Sequence, residues 1–234
     1  MDGGAACHSR LDSHATGTWT LLVQYTFFMV QTRLITSTQR EHYITMNNDQ
    51  KLQPTADERI MQADQKFHYF WKAGNPFSQW HSSVYDLDGI QFCCAEQGMM
   101  YGKAVLFKDM QIAEQILTTT SPRKMKALGQ KVRGFSEKEW KKHRVEIVYR
   151  NNVAKFCQNE TMRKALLSTT GTLVEASPHD RIWGIGLNEE NARNTPPSKW
   201  RGLNLLGLIL TRVRDEIKEG MYDDFIEAAE NEKV

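Results

Sequence analysis

Glu96 stands in the stretch FCCAEQGMMYGKA, where a run of apolar residues gives way to helix formers. A carboxylate placed there feels two opposed influences. Apolar surroundings desolvate it and raise its pKa, whereas the positive end of a helix lowers it. Glu96, Met100 and Lys103 follow one another at spacings of four and three, so they share one helical face. A carboxylate and an ammonium on one face suit a polar ligand. They suit a solvated ion pair equally well.

A second candidate region runs from Pro178 to Trp200 and contains Asp180, Arg181, Trp183, Gly184 and Gly186. It reads as a long loop, and long loops in compact domains are often functional. Two glycines around Ile185, beside a tryptophan, permit close backbone approach to a flat ligand. A turn packed around a core tryptophan accounts for the same residues. The chain has six tryptophans, of which Trp71, Trp80, Trp140, Trp183 and Trp200 fall in its well-patterned part. Such rings stack on nucleobases, and they also simply fill cores.

The elements that must position these residues begin near Phe67. HYFW is a short β-like run, and Ser82 to Phe92 reads as a hairpin turning at DLDG. Cys94 to Phe107 has helical spacing. Ser121-Pro122 is an N-cap followed by proline at the first helical position. The stretch SEKE from Ser136 is a capping box that opens a long amphipathic helix to about Phe156. Asn159 is expected to cap a further helix ending at Gly171, and Leu173 to Ala176 is a strand candidate. Gly202 to Lys218 is expected to be the final helix, and the acidic segment 219–234 is expected to fray. Residues 1–65 are polar and weakly periodic, with a short helix near Pro54 to Gln65 capped by Thr55 as their most regular feature. They read as an extension that the domain does without.

Composition narrows the function classes. At 234 residues, 25% charged and 40% hydrophobic, the chain is an ordinary globular protein with room for one medium domain. A formal net charge of +2 and no long basic block give no case for nucleic-acid binding through bulk charge. Cys7, Cys93, Cys94 and Cys157 form no CxxC pair, which fits reduced thiols in a reducing compartment. The histidines show neither HxxxH nor HExxH spacing, so no metal site is expected. Trp19 to Val30, at 12 residues, is too short to span a bilayer. The expected setting is therefore the cytoplasm, with no membrane partner.

Taken in order, the motifs carry a resemblance. NPFSQW at Asn75 to Trp80 is followed by Asp88-Gly89, AEQGMMYGKA at Ala95 to Ala104, and SPRKMKALGQKV. Trp140, KFCQN at Lys155 to Asn159, LLSTTGTLVEASPHDRIWGIG at Leu166 to Gly186, and WRGLNLLGLILTRVR at Trp200 to Arg214 complete the set. This pattern, over about Phe67 to Lys218, resembles the NADAR family with its YbiA-type N-glycosidases. The resemblance implies an α+β fold, a mainly helical single domain at 66–218 with a small antiparallel β-sheet. It also implies hydrolysis of the C1′–N bond of ribosylated bases, with no cofactor. One branch of such enzymes acts on ribosylaminopyrimidine phosphates of riboflavin biosynthesis. Another removes ADP-ribose from guanine bases of nucleic acid.

The family's essential glutamate, helix tryptophan and aspartate before WG match Glu96, Trp140 and Asp180, the expected catalytic residues. Phe77, Ser78, Gln97, Lys103, Trp183, Gly184, Gly186 and Asn204 are the expected substrate-binding residues. Lys103, the Gly184 and Gly186 amides, Asn204 and Arg123 are the candidate phosphate donors. The expected partner is thus a small ribose-phosphate or ADP-ribose-containing substrate. ADP-ribosylated nucleic acid is the alternative, and a non-catalytic ADP-ribose or NAD module is a third reading that would not need both Glu96 and Asp180. Gly98 departs from the family pattern, where many relatives carry a bulky aromatic, and this bears on the shape of the pocket floor.

Overall fold

The structure is a computed structural model in which residues 66–231 are described. The expectations for 1–65, including the apolar run at Trp19 and the Thr55 cap, lie outside the described residues. The order is β1 (Phe67–Phe70), β2 (Tyr85–Leu87), β3 (Ile90–Phe92), α1 (Ala95–Leu106), α2 (Met110–Leu117), α3 (Pro122–Gly129), α4 (Glu137–Gln158), α5 (Glu160–Leu167), β4 (Thr172–Glu175), α6 (Glu189–Arg193), α7 (Leu205–Lys218) and α8 (Asp223–Asn231). A short 3₁₀ turn at Pro197–Lys199 lies between α6 and α7.

The expected antiparallel sheet is the β2–β3 hairpin, with Leu87 opposite Ile90. Its two turn residues, Asp88 at φ 54° and Gly89 at φ 74°, are both left-handed, as a tight hairpin turn matching strand twist requires. A second pair was not anticipated. β1 and β4 run parallel, in register from Phe67 with Thr172 to Phe70 with Glu175. Two short apolar runs about a hundred residues apart in sequence carry no local sign that they pair. This parallel pair separates two apolar layers by its pleat. Phe70 and Leu173 join the main core, whereas Phe67, Tyr69 and Val174 pack with Ile185, Leu187 and Trp200 on the other face.

In the main core, α1 is packed by α2, α3 and α4, and α7 lies against both β4 and α4. Ile116, Met125, Val148, Phe156, Leu166 and Leu210 are fully buried. Each such side chain contributes about 1.5–3 kcal/mol on leaving water. Ser121 and Ser136 cap α3 and α4 through hydrogen bonds from Lys124 N–H and Glu139 N–H. The return arm of the capping box is not made, because the Glu139 carboxylate takes Lys142 and His143 instead.

Three local readings are refined, and one helix was not anticipated. Asn159 stands at the N-cap position of α5, but its side chain makes no cap bond; its amide donates to Val84 O and Lys155 O, tying the end of α4 to the hairpin. α2 is a separate helix, because Lys108 at φ 60° breaks the chain after α1 and Asp109 recaps it. Lysine gives no such signal in a sequence. The 182–200 loop holds α6, capped by the Asn188 side chain. The described part of the acidic segment, 219–231, is not a frayed tail. α8 follows, with Ile226 and Tyr222 against the core, and Arg163 pairs with Glu230. The Tyr149 and Tyr222 hydroxyls both donate to Glu216, which also takes Arg212 at 2.7 Å. No helix among the described residues is long and apolar enough to cross a membrane.

Candidate active site

The loop before α1 brings the first groups together. Glu96 is the second residue of α1, and its main-chain N–H donates to Gln79 O at 2.9 Å. The Gln79 amide donates to Asn152 on α4 at 3.1 Å. Lys155, wholly buried on the same helix, donates to Ser78 O at 3.0 Å. Burial pushes its ammonium pKa down to about 7. Three ties thus fix Ser78 and Gln79, and the next residue, Trp80, reaches the Glu96 carboxylate with a side-chain hydrogen bond. Ser78 Oγ accepts from Trp80 N–H at 3.2 Å.

Glu96 is 3% exposed, and its Oε1 has no hydrogen-bond partner. A buried acceptor left without a donor costs free energy, about 1–3 kcal/mol, and marks a place where a donor is meant to arrive. Burial raises the Glu96 pKa to about 7; Lys126 and the Trp80 hydrogen bond pull it down, and Asp180 pushes it up. The helix terminus therefore does not hold Glu96 fully ionised, because desolvation outweighs it. Glu96 titrates in the neutral range, where a general base is most useful.

The second wall comes from β4 and the loop after it. Asp180 Oδ1 accepts from Ile182 N–H and Trp183 N–H, each at 2.8 Å, and its carbonyl accepts from Gly186 N–H at 3.0 Å. The loop is fastened further by Ile185 N–H to Glu175 O and by Asn204 N–H to Gly184 O. A Cβ on Gly184 would lie 2.8 Å from Glu175 O, and Gly186 sits at φ 68°. The close approach that these glycines permit is therefore to the protein's own backbone. Asp180 acts electrostatically on both Glu96 and Glu175. Glu175 Oε2 is likewise buried without a partner, and burial, then Asp180 and Glu96, push the Glu175 pKa up to about 8. The exposed Lys126 on α3 is the cation that opposes both shifts.

The other expected site residues fall elsewhere. Lys103 points along α1 to Gly129 O at 2.8 Å, over the Phe135 ring at 4.2 Å and the Trp140 ring at 5.7 Å. Seven residues of helix put it ~10 Å from Glu96. Burial lowers its pKa, and Glu137 partly restores it. Trp140 is 8% exposed within the main core. Trp183 is half-buried against the same cluster.

The Phe77 ring is enclosed by His68, Phe70 and Phe156. The Gln97 side chain is spent on Cys93 N–H and on the carbonyls of Ile116, Leu117 and Thr119. The Asn204 side chain bridges Glu175 N–H and Leu173 O, both at 3.0 Å. Arg123 is exposed at the start of α3. Gly98 opens no pocket floor: a Cβ there would lie 1.7 Å from Asn151 Oδ1, which accepts from Tyr85 OH at 2.7 Å.

Sequence reasoning did not single out Glu175 or Lys126, and it counted Trp80 only among the tryptophans. A charged residue at the end of the apolar run TLVE was the available signal for Glu175. Lys126 gave none, since lysines on exposed helix faces are commonplace. A separate cleft of about 370 Å³ lies on the far face of the parallel pair, lined by Phe67, Tyr69, Arg193 and Trp200. There Arg193 pairs with Glu189, and Trp200 Nε1 donates to Thr195 O.

Fold and site together define a mainly helical α+β protein built around a desolvated carboxylate with further acids beside it. The chain belongs to the NADAR domain family, whose profile matches residues 69–218. It is 45% identical over 146 residues to the N-glycosidase R617 of Acanthamoeba polyphaga mimivirus, covering 60% of this chain and 86% of that protein. It is 35% identical over 111 residues to the chloroplastic riboflavin biosynthesis protein PYRR of Zea mays, covering 45% of this chain but only 16% of that protein. The NMR structure of E. coli YbiA superposes with a TM-score of 0.56 at 22% identity, covering 67% of this chain and 88% of that one. That likeness bears on the fold alone.

Proposed function

We propose that the protein is an N-glycosidase that hydrolyses the C1′–N bond of ribosylated bases, with ribosylaminopyrimidine phosphates as the substrate class. The observation that carries this reading is Glu96: a buried carboxylate that titrates near pH 7 and holds one unpartnered oxygen beside two further acids. Breaking a C1′–N bond builds positive charge on the ribose, and a carboxylate beside C1′ stabilises it or takes the proton of the attacking water. Sugar hydroxyls and that water are donors of the kind Glu96 Oε1 and Glu175 Oε2 lack. Lys126 offers an exposed ammonium to a phosphate, and Trp80 and Trp183 offer ring faces to a base. Relatives named as an N-glycosidase and as a riboflavin biosynthesis protein support the same reading.

The test is direct incubation with ribosylaminopyrimidine 5′-phosphate and, in parallel, with ADP-ribosylated guanine in DNA. Release of free base and ribose 5-phosphate from the first is the expected result. Release of ADP-ribose from the second alone would move the substrate class to nucleic-acid adducts and keep the chemistry. No turnover of either would overturn the reading.

A further inference from the structure

Glu175 closes β4. Strand alternation turns its side chain to the face of Leu173, which joins the main core, and away from the face of Val174. Its main chain is held on both sides, by Asn204 Oδ1 on its N–H and by Ile185 N–H on its carbonyl, each at 3.0 Å. The side chain is therefore delivered to the acidic cluster by a fixed strand end, and its Oε2 meets no donor there. The charges acting on it are Asp180 from the loop, Glu96 from α1 and Lys126 from α3, two of its own sign against one opposed. Two carboxylates sharing one buried site do not both ionise readily; one keeps the proton. Glu96 has the Trp80 side chain as well as Lys126 to favour its ionised form, whereas Glu175 faces two like charges with an oxygen that meets no donor, so Glu175 is the one that keeps the proton.

A ribosylamine leaves badly as an anion, so the departing nitrogen needs a proton as the bond breaks. Resting on the N-glycosidase reading above, we propose that Glu175 is the general acid of this site and that Glu96 is its ionised partner. The Glu175 O–H proton passes to the leaving nitrogen, which takes the C1′–N electron pair and departs as the free amine. Water adds its oxygen to C1′ and gives a proton to the Glu96 carboxylate. Transfer of that proton from Glu96 to Glu175 restores both groups, so the net reaction is addition of one water across the C1′–N bond.

The experiment compares leaving groups. Ribosylaminopyrimidine 5′-phosphate needs a proton on its leaving nitrogen, whereas the pyridinium of nicotinamide mononucleotide departs neutral and needs none. Glu175→Gln is expected to lose on the order of 10²- to 10⁴-fold in kcat on the first substrate, the usual scale of general acid catalysis, and at least tenfold less on the second. The wild-type profile of kcat/KM against pH serves as a check that no misfolded variant can spoil. It should fall on the alkaline side near pH 8 for the aminopyrimidine substrate, and Glu175→Gln should abolish that limb. Equal losses on both substrates, or an unchanged alkaline limb, would overturn the assignment of Glu175 while leaving the N-glycosidase reading intact. If nicotinamide mononucleotide is not turned over, the alkaline limb decides alone. A wild-type enzyme that hydrolyses neither compound overturns both.

Discussion

Glu96 and Lys103 lie on one face of α1 and do not meet. The Lys103 ammonium donates to Gly129 O at 2.8 Å, and Glu96 Oε1 is buried without a partner. The ion-pair reading of their spacing therefore fails. Glu96→Gln is expected to lower kcat by roughly 10²- to 10⁴-fold with little change in KM, since charge on the ribose develops only in the transition state. Stability should move the other way. The folded pKa of about 7 stands above the ordinary glutamate value of 4.5, so the folded form holds the proton more tightly. The stabilisation is complete below the unfolded value and lost as pH rises through the folded one. At pH 8 the wild type carries the cost of a buried charge, and Glu96→Gln should raise Tm by an amount equivalent to on the order of 2–3 kcal/mol. At pH 4 the two proteins should melt together. Thermal scans at both pH values, with kcat measured on the same preparations, decide; a lower Tm at pH 8 would remove the desolvation argument.

Trp80 is 37% exposed, so its removal costs little packing, yet its side chain hydrogen-bonds the Glu96 carboxylate and holds that pKa down. Trp80→Phe keeps a ring and deletes the donor. The acidic limb of the rate profile should move to higher pH, with Tm nearly unchanged. An acidic limb that stays in place would mean that the contact does not tune Glu96 in solution.

Gly98→Ala should destabilise the protein by about 1–3 kcal/mol, the usual cost of overpacking, because its Cβ would meet Asn151 Oδ1 at 1.7 Å and Tyr85 OH at 2.5 Å. Adding Asn151→Ala removes the nearest obstruction and should recover part of that loss, a coupling that a double-mutant cycle in urea measures. Strict additivity of the two losses would show that Asn151 is not what excludes a side chain at position 98.

These residues also mark what the sequence discloses. The turn at Asp88-Gly89, the serine caps of α3 and α4, and the candidacy of Glu96 are local signals, written within a few residues of where they act. The acidic cluster is not local. Trp80 comes from a loop, Lys126 from an exposed helix face and Glu175 from a strand whose partner lies about a hundred residues away. Only the packing of β1 on β4 and of α1 on α3 brings them together. Helical spacing placed Lys103 on the face of Glu96 correctly, but a long flexible side chain chooses its partner by tertiary surroundings, and here that partner is a carbonyl at the end of α3. Asn204 and Gln97 misled for a related reason: polar residues inside sequence motifs can be spent entirely on holding backbone.

Asp180 separates holding backbone from charge most cleanly. Its Oδ1 accepts two main-chain N–H bonds at 2.8 Å, and its charge raises both Glu96 and Glu175. Asp180→Asn keeps an acceptor oxygen for Ile182 N–H and Trp183 N–H, so the loop should stay closed and Tm should change little. The lost charge should lower both limbs of the rate profile, moving them to more acidic pH together. kcat should fall by roughly 10²-fold if the carboxylate also orients the attacking water. Asp180→Ala removes the acceptor as well, leaving two amides without their partner, and should cost a further ~1–3 kcal/mol of stability. Tm and pH–rate profiles of the two variants, measured side by side, test both roles. Equal Tm losses in Asp180→Asn and Asp180→Ala, with the limbs unmoved, would reduce Asp180 to a loop cap and leave Glu96 and Glu175 as the acids that matter.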